Sequence, residues 1–294
     1  LMGHLFIIYA MNDQLQRFVF DDTDIRGELV RLDQSYQDTL AAHQYPEVVA
    51  RLLGELLSAV VLLSATLKFE GTLVLQARSQ GQIPIIMAEA TSDHKIRAIA
   101  READDANSSD FQTLLTDGQL SITIDPRHGK RYQGIVSLDG DNLSQCIENY
   151  FKQSEQLSTR VWLASDGKTA SGMLLQELPA SDDITPEQRI ISWEHATKLA
   201  ETLTTNEIQS LSFERILFRL FHQEQVRLFE PDALSFECSC SQTRTLDALR
   251  TLGQQELNSI IEELGSIDIN CEFCHQHYQF DGDDVGNLFD HKLH

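Results

Sequence analysis

Basic residues are scarce in this chain. Lysine and arginine number 23 against 45 aspartates and glutamates, a formal net charge of −22 over 294 residues. A surface of that sign repels phosphate backbones, so nucleic-acid binding would start without the basic stripe it normally uses. The same acidity favours solubility in a protein that must expose sticky surfaces. Low-complexity tracts are missing too, and 41% of residues are apolar, which argues for a packed core rather than disorder. Long unbroken apolar runs are also lacking. The longest stretch, residues 48–67, is interrupted by Arg51 and Glu55 and reads as a buried helix, not a membrane span. Leu1–Ala10 has neither a basic lead nor a cleavage pattern, so no secretory signal is read there. Met11-Asn12-Asp13-Gln14 reads as a native start, with residues 1–10 an upstream extension. The expected compartment is the cytoplasm, with no membrane partner. The sequence contains no P-loop, dinucleotide fingerprint or hydrolase triad, and no enzyme is expected.

Cysteine is sparse and concentrated. Of five, only Cys146 lies in the first 237 residues; the others stand as Cys238-Ser239-Cys240 and, thirty residues on, Cys271-Glu272-Phe273-Cys274. With no export signal, paired cysteines point to metal or redox chemistry more than to a disulfide framework. Two close pairs joined by a connection long enough to fold back suit a tetrahedral Zn²⁺ site with four thiolate ligands, Cys238, Cys240, Cys271 and Cys274. One ion per chain is expected. The first pair has a one-residue spacer, tighter than the Cys-x-x-Cys turn of common zinc ribbons. His275 and His277 could substitute as ligands but are not needed, and Cys146 reads as a small buried apolar residue.

The expected class is α+β with a largely antiparallel sheet, because strand patterns dominate residues 11–179 without regular βαβ alternation. Strands are predicted over 17–20, 25–32, 72–77, 85–90, 95–101, 120–125, 131–138, 160–164 and 172–178. Helices are predicted over 47–68 and 142–156. Residues 180–235 follow a polar break and read as a helical linker, with helices over 187–204 and 212–223. In the second, Phe213, Ile216, Leu217, Leu220 and Phe221 recur at helical spacing, and this apolar face needs a surface to dock on. Residues 236–294 form a small cysteine module with helices over 244–252 and 255–264 and short strands at 267–270 and 278–280. So small a module buries little and needs a staple.

The chain resembles the bacterial 33-kDa redox-regulated heat-shock chaperone family, heat shock protein 33. Phe236-Glu237-Cys238-Ser239-Cys240-Ser241, Cys271-Glu272-Phe273-Cys274 and His277-Tyr278-Gln279-Phe280 carry the resemblance in the module. Upstream it is carried by Arg26-Gly27-Glu28, Tyr132-Gln133-Gly134-Ile135-Val136, Glu148-Asn149-Tyr150-Phe151, Ser154-Glu155-Gln156-Leu157 and Gly172-Met173-Leu174-Leu175-Gln176. Three positions depart from the pattern: Ser158 for a usual proline, Ser171 for a frequent glycine, and His275 where a glycine commonly follows the last cysteine. The resemblance implies an ATP-independent holdase that is inactive when reduced and zinc-bound. Oxidation by peroxide or hypochlorite would activate it, and the active form would dimerise and bind unfolding client proteins.

The residues allow a physical account of such a switch. Zinc-bound sulfur is already thiolate, the form oxidants attack. With the pairing the resemblance implies, Cys238–Cys240 and Cys271–Cys274, each disulfide closes a tiny loop and restrains the chain little. Structural zinc contributes an apparent ~10–16 kcal/mol to small modules, so its exchange for two such loops should unfold the module. The one-residue spacer makes disulfide geometry hard to reach from folded chain, so the 271/274 pair is expected to oxidise first. Alternatives are a zinc-ribbon-type binding protein with a purely structural zinc site, disfavoured as a nucleic-acid binder by the charge, and a thiol–disulfide oxidoreductase. The last would place Cys271 at a helix N-terminus in a βαβ setting.

Overall fold

Side chains that alternate inward and outward at a spacing of two build the strands of two sheets. The computed structural model describes residues 13–68, 70–181 and 184–290, so the reading of residues 1–10 as an extension lies outside them. The larger of two compact units runs through Phe236. It contains strands β1 (Gln14–Phe20) and β2 (Ile25–Leu32), helices α1 (Gln34–Leu40) and α2 (Glu47–Thr66), and strands β3 (Gly71–Arg78), β4 (Ile85–Thr91) and β5 (Lys95–Arg101). A short α3 (Phe111–Leu114), β6 (Gln119–Pro126), β7 (Tyr132–Ser137), α4 (Leu143–Tyr150), a π-helical turn (Phe151–Glu155), β8 (Thr159–Ser165) and β9 (Ala170–Glu177) follow. Helices α5 (Pro186–Ala200), α6 (Thr205–Ser210) and α7 (Phe213–Phe221) precede the short strands β10 (Val226–Leu228), β11 (Asp232–Ala233) and β12 (Ser235–Phe236).

One sheet has the order β10-β1-β2-β9-β8, with β11 also paired to β1; the other has β12-β5-β4-β3-β6-β7. Pairing is antiparallel throughout except for β12 beside β5. The α+β class is therefore as expected, with two sheets where the sequence suggested one. Between them lies α2. It contacts β2, β8 and β9 of the first sheet and β3, β4 and β5 of the second. Its apolar residues run all round the helix and are buried together with Val30, Leu32, Leu73, Leu75 and Leu174. By length and composition α2 could cross a membrane; its burial inside the fold accounts for that composition instead.

Register fixes one glycine. Gly27 pairs directly with Phe18, and a Cβ at Gly27 would stand 2.1 Å from the Phe18 ring. The neighbouring Glu28 points to the opposite face and is only 2% exposed. Its Oε2 has no hydrogen-bond partner among the described residues, and Arg26 Nε lies 3.9 Å from Oε1. Burial pushes this carboxyl up to about 7, against the opposing pull of Arg26 and Arg17. A carboxyl raised in this way favours the folded state below its unfolded value of 4.5, and the contribution is lost as pH rises through 7. Glu28→Gln should therefore melt above the parent protein at pH 8.5 by an amount worth roughly 3–4 kcal/mol at most. The difference should close toward pH 4.5. Calorimetric scans at fixed zinc concentration check this, and a gap that widens on acidification would contradict it.

The other face of the first sheet is covered by α5–α7. Phe18, Phe20, Ile25, Leu29, Met173 and Leu175 of the sheet pack with Ala196, Ala200, Ile208 and the buried face of α7: Phe213, Ile216, Leu217, Leu220 and Phe221. Phe221 meets Phe20 edge-on with centroids 4.9 Å apart. Arg31, 2% exposed, donates from Nη2 to the carbonyls of Ile208 and Leu211 at 2.7 Å each. Its guanidinium also lies 5.4 Å from the Phe213 ring centroid. Those carbonyls close the C-terminal end of α6, where a cation complements the helix dipole. Burial lowers the Arg31 guanidinium to about 10, and it stays charged.

Local signals account for where these helices start and stop. Thr185 and Gln188 form a capping box at α5, and Thr204 and Glu207 another at α6. The single helix predicted over 187–204 therefore ends at Ala200, and a separate α6 begins after Thr204. The helix predicted over 142–156 likewise changes: α4 stops at Tyr150 and continues as the π-turn, closed by Gln156 with φ 55°.

The second unit spans residues 237–294 by contact grouping. It contains α8 (Gln242–Leu249), a 3₁₀ turn over Arg250–Leu252, α9 (Gln254–Leu264), the antiparallel strands β13 (Ile267–Asn270) and β14 (His277–Phe280), and α10 (Gly282–Asp290). Gly265 closes α9 in the left-handed conformation at φ 85°, a glycine C-cap. Among the described residues, six form its buried core: Leu249, Leu257, Ile267, Phe280, Val285 and Leu288. The last two lie on α10, which was not predicted.

Candidate metal centre

Two chain segments converge in the second unit. Cys238 and Cys240 lie in extended chain just before α8. Ser241 caps that helix by accepting from the Arg244 backbone N–H, and Arg244 Nη1 donates to the Ser239 carbonyl at 2.9 Å. The spacer between the two cysteines is thus held from one turn downstream. Cys271 and Cys274 bracket the turn between β13 and β14. The turn is closed by Cys271 N–H donating to Gln276 O at 2.9 Å and His275 N–H donating to Cys271 O at 2.8 Å. His275 takes φ 56°, the left-handed region. That is the backbone reason a glycine suits the position after the last cysteine.

All four Sγ atoms lie within 4.8 Å of one another, and all four residues are half-buried. Two close contacts join different pairs: Cys238 to Cys271 at 3.6 Å and Cys240 to Cys274 at 3.4 Å. Four thiolates bonded at about 2.3 Å around a tetrahedral Zn²⁺ would sit about 3.8 Å apart along each edge, so the donor set fits that ion in number, type and spacing. Its chemistry points the same way. Desolvation, together with hydrogen bonds from the other three thiols, pushes the Cys274 thiol up to about 12. Four anionic sulfurs would not share this space without a cation.

The histidines are used elsewhere or not drawn into the group. His277 is held by Asn270 Oδ1 at 3.0 Å and Asp268 at 3.1 Å, and the metal-capable group among the described residues contains cysteines alone. Cys146 is fully buried in α4, where burial raises its thiol. Sequence reasoning missed Tyr278, whose hydroxyl donates to Cys240 Sγ at 3.1 Å. That bond holds the phenol up to about 12, so it remains a donor. Its spacing from Cys240 carries no local signal; only the β13–β14 pairing brings it there. An oxidoreductase reading fails on the same geometry, because Cys271 and Cys274 lie in a hairpin turn and not at a helix N-terminus.

A family model described as Hsp33 protein matches residues 13–281. The chain belongs to the Hsp33 family. It is 53% identical over 281 residues to the 33 kDa chaperonin of Pseudomonas aeruginosa (strain LESB58), covering 95% of each chain. To the 33 kDa chaperonin of Pseudomonas syringae pv. tomato it is 52% identical over 280 residues, covering 94% of this chain and 93% of that one. The crystal structure of the 33 kDa chaperonin, a heat shock protein 33 homologue, from Thermotoga maritima matches with a TM-score of 0.80 over 94% of this chain and 98% of that one. At 20% identity this last comparison shows the Hsp33 fold and no more.

Proposed function

We propose that this Hsp33-family chain is a redox-regulated, ATP-independent holdase of the cytoplasm that binds unfolding proteins under oxidative stress. Its reduced form would hold one Zn²⁺ through Cys238, Cys240, Cys271 and Cys274. The observation that carries the reading is the convergence of four thiols, from segments thirty residues apart, in a unit with six buried core residues. When bound, the ion keeps the sulfurs as thiolates and ties the two segments together, a contribution of about 10–16 kcal/mol in modules of this kind. A core so small gives little to replace it.

Oxidation proceeds at the sulfurs. The Cys271 or Cys274 thiolate attacks peroxide, the O–O bond breaks, hydroxide leaves and a sulfenic acid forms. The neighbouring thiolate then attacks that sulfur, a second hydroxide leaves and an S–S bond closes. A second equivalent of peroxide does the same for Cys238 and Cys240. The paired sulfurs are no longer thiolate donors, and the module loosens. Helices α5–α7 then leave the first sheet, exposing the apolar face of α7 and the surface beneath it for clients and for a second copy of the chain. Ile190, Ile191 and Phe218 are already 60%, 66% and 73% exposed on these helices, which supports a segment poised to bind apolar chain. Nucleic acid and membranes are not among the proposed partners.

The test compares reduced, zinc-loaded protein with peroxide-treated protein. Measured together are zinc per chain, free thiols, sedimentation and suppression of aggregation of a thermally unfolding client. The expected result is one zinc and no suppression before oxidation, then zinc loss, a dimer and suppression after it. Equal suppression in both states would leave a purely structural zinc site as the better reading. A Cys271→Ser, Cys274→Ser double variant should lose the zinc, whereas Cys146→Ser should keep it.

A further inference from the structure

Five of the upstream segments that resemble the family meet at one place in the larger unit. Arg26 of β2, Tyr132 of β7, Tyr150 at the end of α4, the π-turn with Ser154 and Glu155, and Gln176 of β9 all line a cavity of about 390 Å³ between the two sheets. The redox mechanism uses none of them. No residue of α5–α7 lines it, so the cavity is complete while those helices are docked and is not the surface their release uncovers. A client site would have to be closed in the inactive state, and this one is not.

Its walls are mainly apolar, with a few converging polar groups, which is the usual composition of a small-molecule site. Arg26 supplies the charge. Its Nη2 donates to Thr66 O at 3.1 Å and to Gln176 Oε1 at 2.6 Å, while its buried Nε has no hydrogen-bond partner among the described residues. Glu28, 3.9 Å from that Nε, is the nearby counter-charge, and burial holds it protonated toward neutral pH. The other carboxylate on the wall, Glu155, accepts from the Tyr150 hydroxyl at 3.0 Å, and Tyr150 in turn meets the Tyr132 hydroxyl at 3.4 Å. The wall formed by Phe151–Glu155 is π-helical, a rare turn found often at functional sites.

We propose that this cavity binds a medium-chain aliphatic carboxylate, its chain among Leu63, Leu73, Ile122, Ile124, Phe151 and Leu157 and its head group on Arg26. The alkyl chain would cover the part of the apolar wall still open to water, and the head group would pair with the part of the Arg26 side chain that remains exposed, 23% of it. Leu67 and Tyr132, 36% and 46% exposed, form the rim.

Calorimetric titration of the full reduced, zinc-loaded chain tests it, with decanoate as the probe and decyltrimethylammonium, of equal chain length and opposite charge, as the control. Both are kept below their micelle concentrations. Decanoate should bind saturably at one per chain and the cation should not. Arg26→Gln should weaken decanoate by about tenfold or more, the worth of one charge-assisted contact. Leu67→Trp, at the rim and outside the packed core, should block entry while circular dichroism stays unchanged, so the test stands even if Arg26→Gln fails to fold. No saturable heat with decanoate, equal binding of anion and cation, or undiminished binding to a folded Leu67→Trp would each overturn the site.

Discussion

Placing a charge on the docked face of α7 should switch on aggregation suppression in fully reduced, zinc-loaded protein. Phe213 and Leu217 are 1% and 5% exposed against the first sheet. Replacing either with aspartate removes roughly 1.5–3 kcal/mol of favourable burial and adds the cost of desolvating a carboxylate in a mainly apolar layer. The docking of three short helices is a small difference between such contributions and the ordering of about fifty residues, so a loss of this size should open it. Leu217→Asp should act at least as strongly as Phe213→Asp, because the charged Arg31 guanidinium, 5.4 Å from the Phe213 ring, partly offsets a carboxylate introduced at 213. Phe218→Asp is the control: it lies on the same helix but is 73% exposed and should leave the reduced protein inactive. Client light scattering and hydrogen exchange over residues 205–221 are read on the same samples. If exchange shows α7 released while the reduced variants stay inactive, the helices are not the switch, and the cysteine module itself gates activity.

How much of this was visible beforehand depended on whether a signal was local. The apolar stripe of α7 is local, and every residue read as its docking face is buried. Which strands it docks on was not read from the sequence. In β9, Ala170 to Gln176 are buried without alternation, as happens when both faces of a strand are covered, by α2 on one side and α5–α7 on the other. The two-sheet layout was not legible, because α2 reads as a core helix whether one sheet or two enclose it. The break before α6 could have been read: Thr204-x-x-Glu207 is a capping-box pattern inside an otherwise continuous helical stretch. The π-turn and the cavity behind it had no such sign, since the residues that meet there are separated by up to 150 positions. At the metal centre the four cysteines were evident from clustering, and Arg244 acts on Ser239 only five residues away, while Tyr278 depended on tertiary placement.

Disulfide mapping of peroxide-oxidised protein should give Cys238–Cys240 and Cys271–Cys274, although thiols of different pairs stand only 3.4 and 3.6 Å apart in the folded unit. Proximity in the folded unit makes a cross-pair bond geometrically accessible at the first step. What decides the outcome is the state of the chain when each bond closes. Cys271 and Cys274 share one tight turn, so they remain neighbours whether or not the rest of the unit is folded. Once they are joined, the remaining two thiols have no free partner except each other. Had the bonds formed across the pairs, each would close a loop of about thirty residues, restraining the unfolded chain by roughly 3–4 kcal/mol and keeping β13 tied to the segment before α8. The module would then be locked by oxidation rather than loosened. Tryptic peptides of protein alkylated at low pH distinguish the two patterns, and kinetics should show the 271/274 bond first. The 238/240 bond should appear only as amide exchange across α8 and α9 rises. A dominant Cys240–Cys274 or Cys238–Cys271 bond would remove the unfolding step on which activation by oxidation depends.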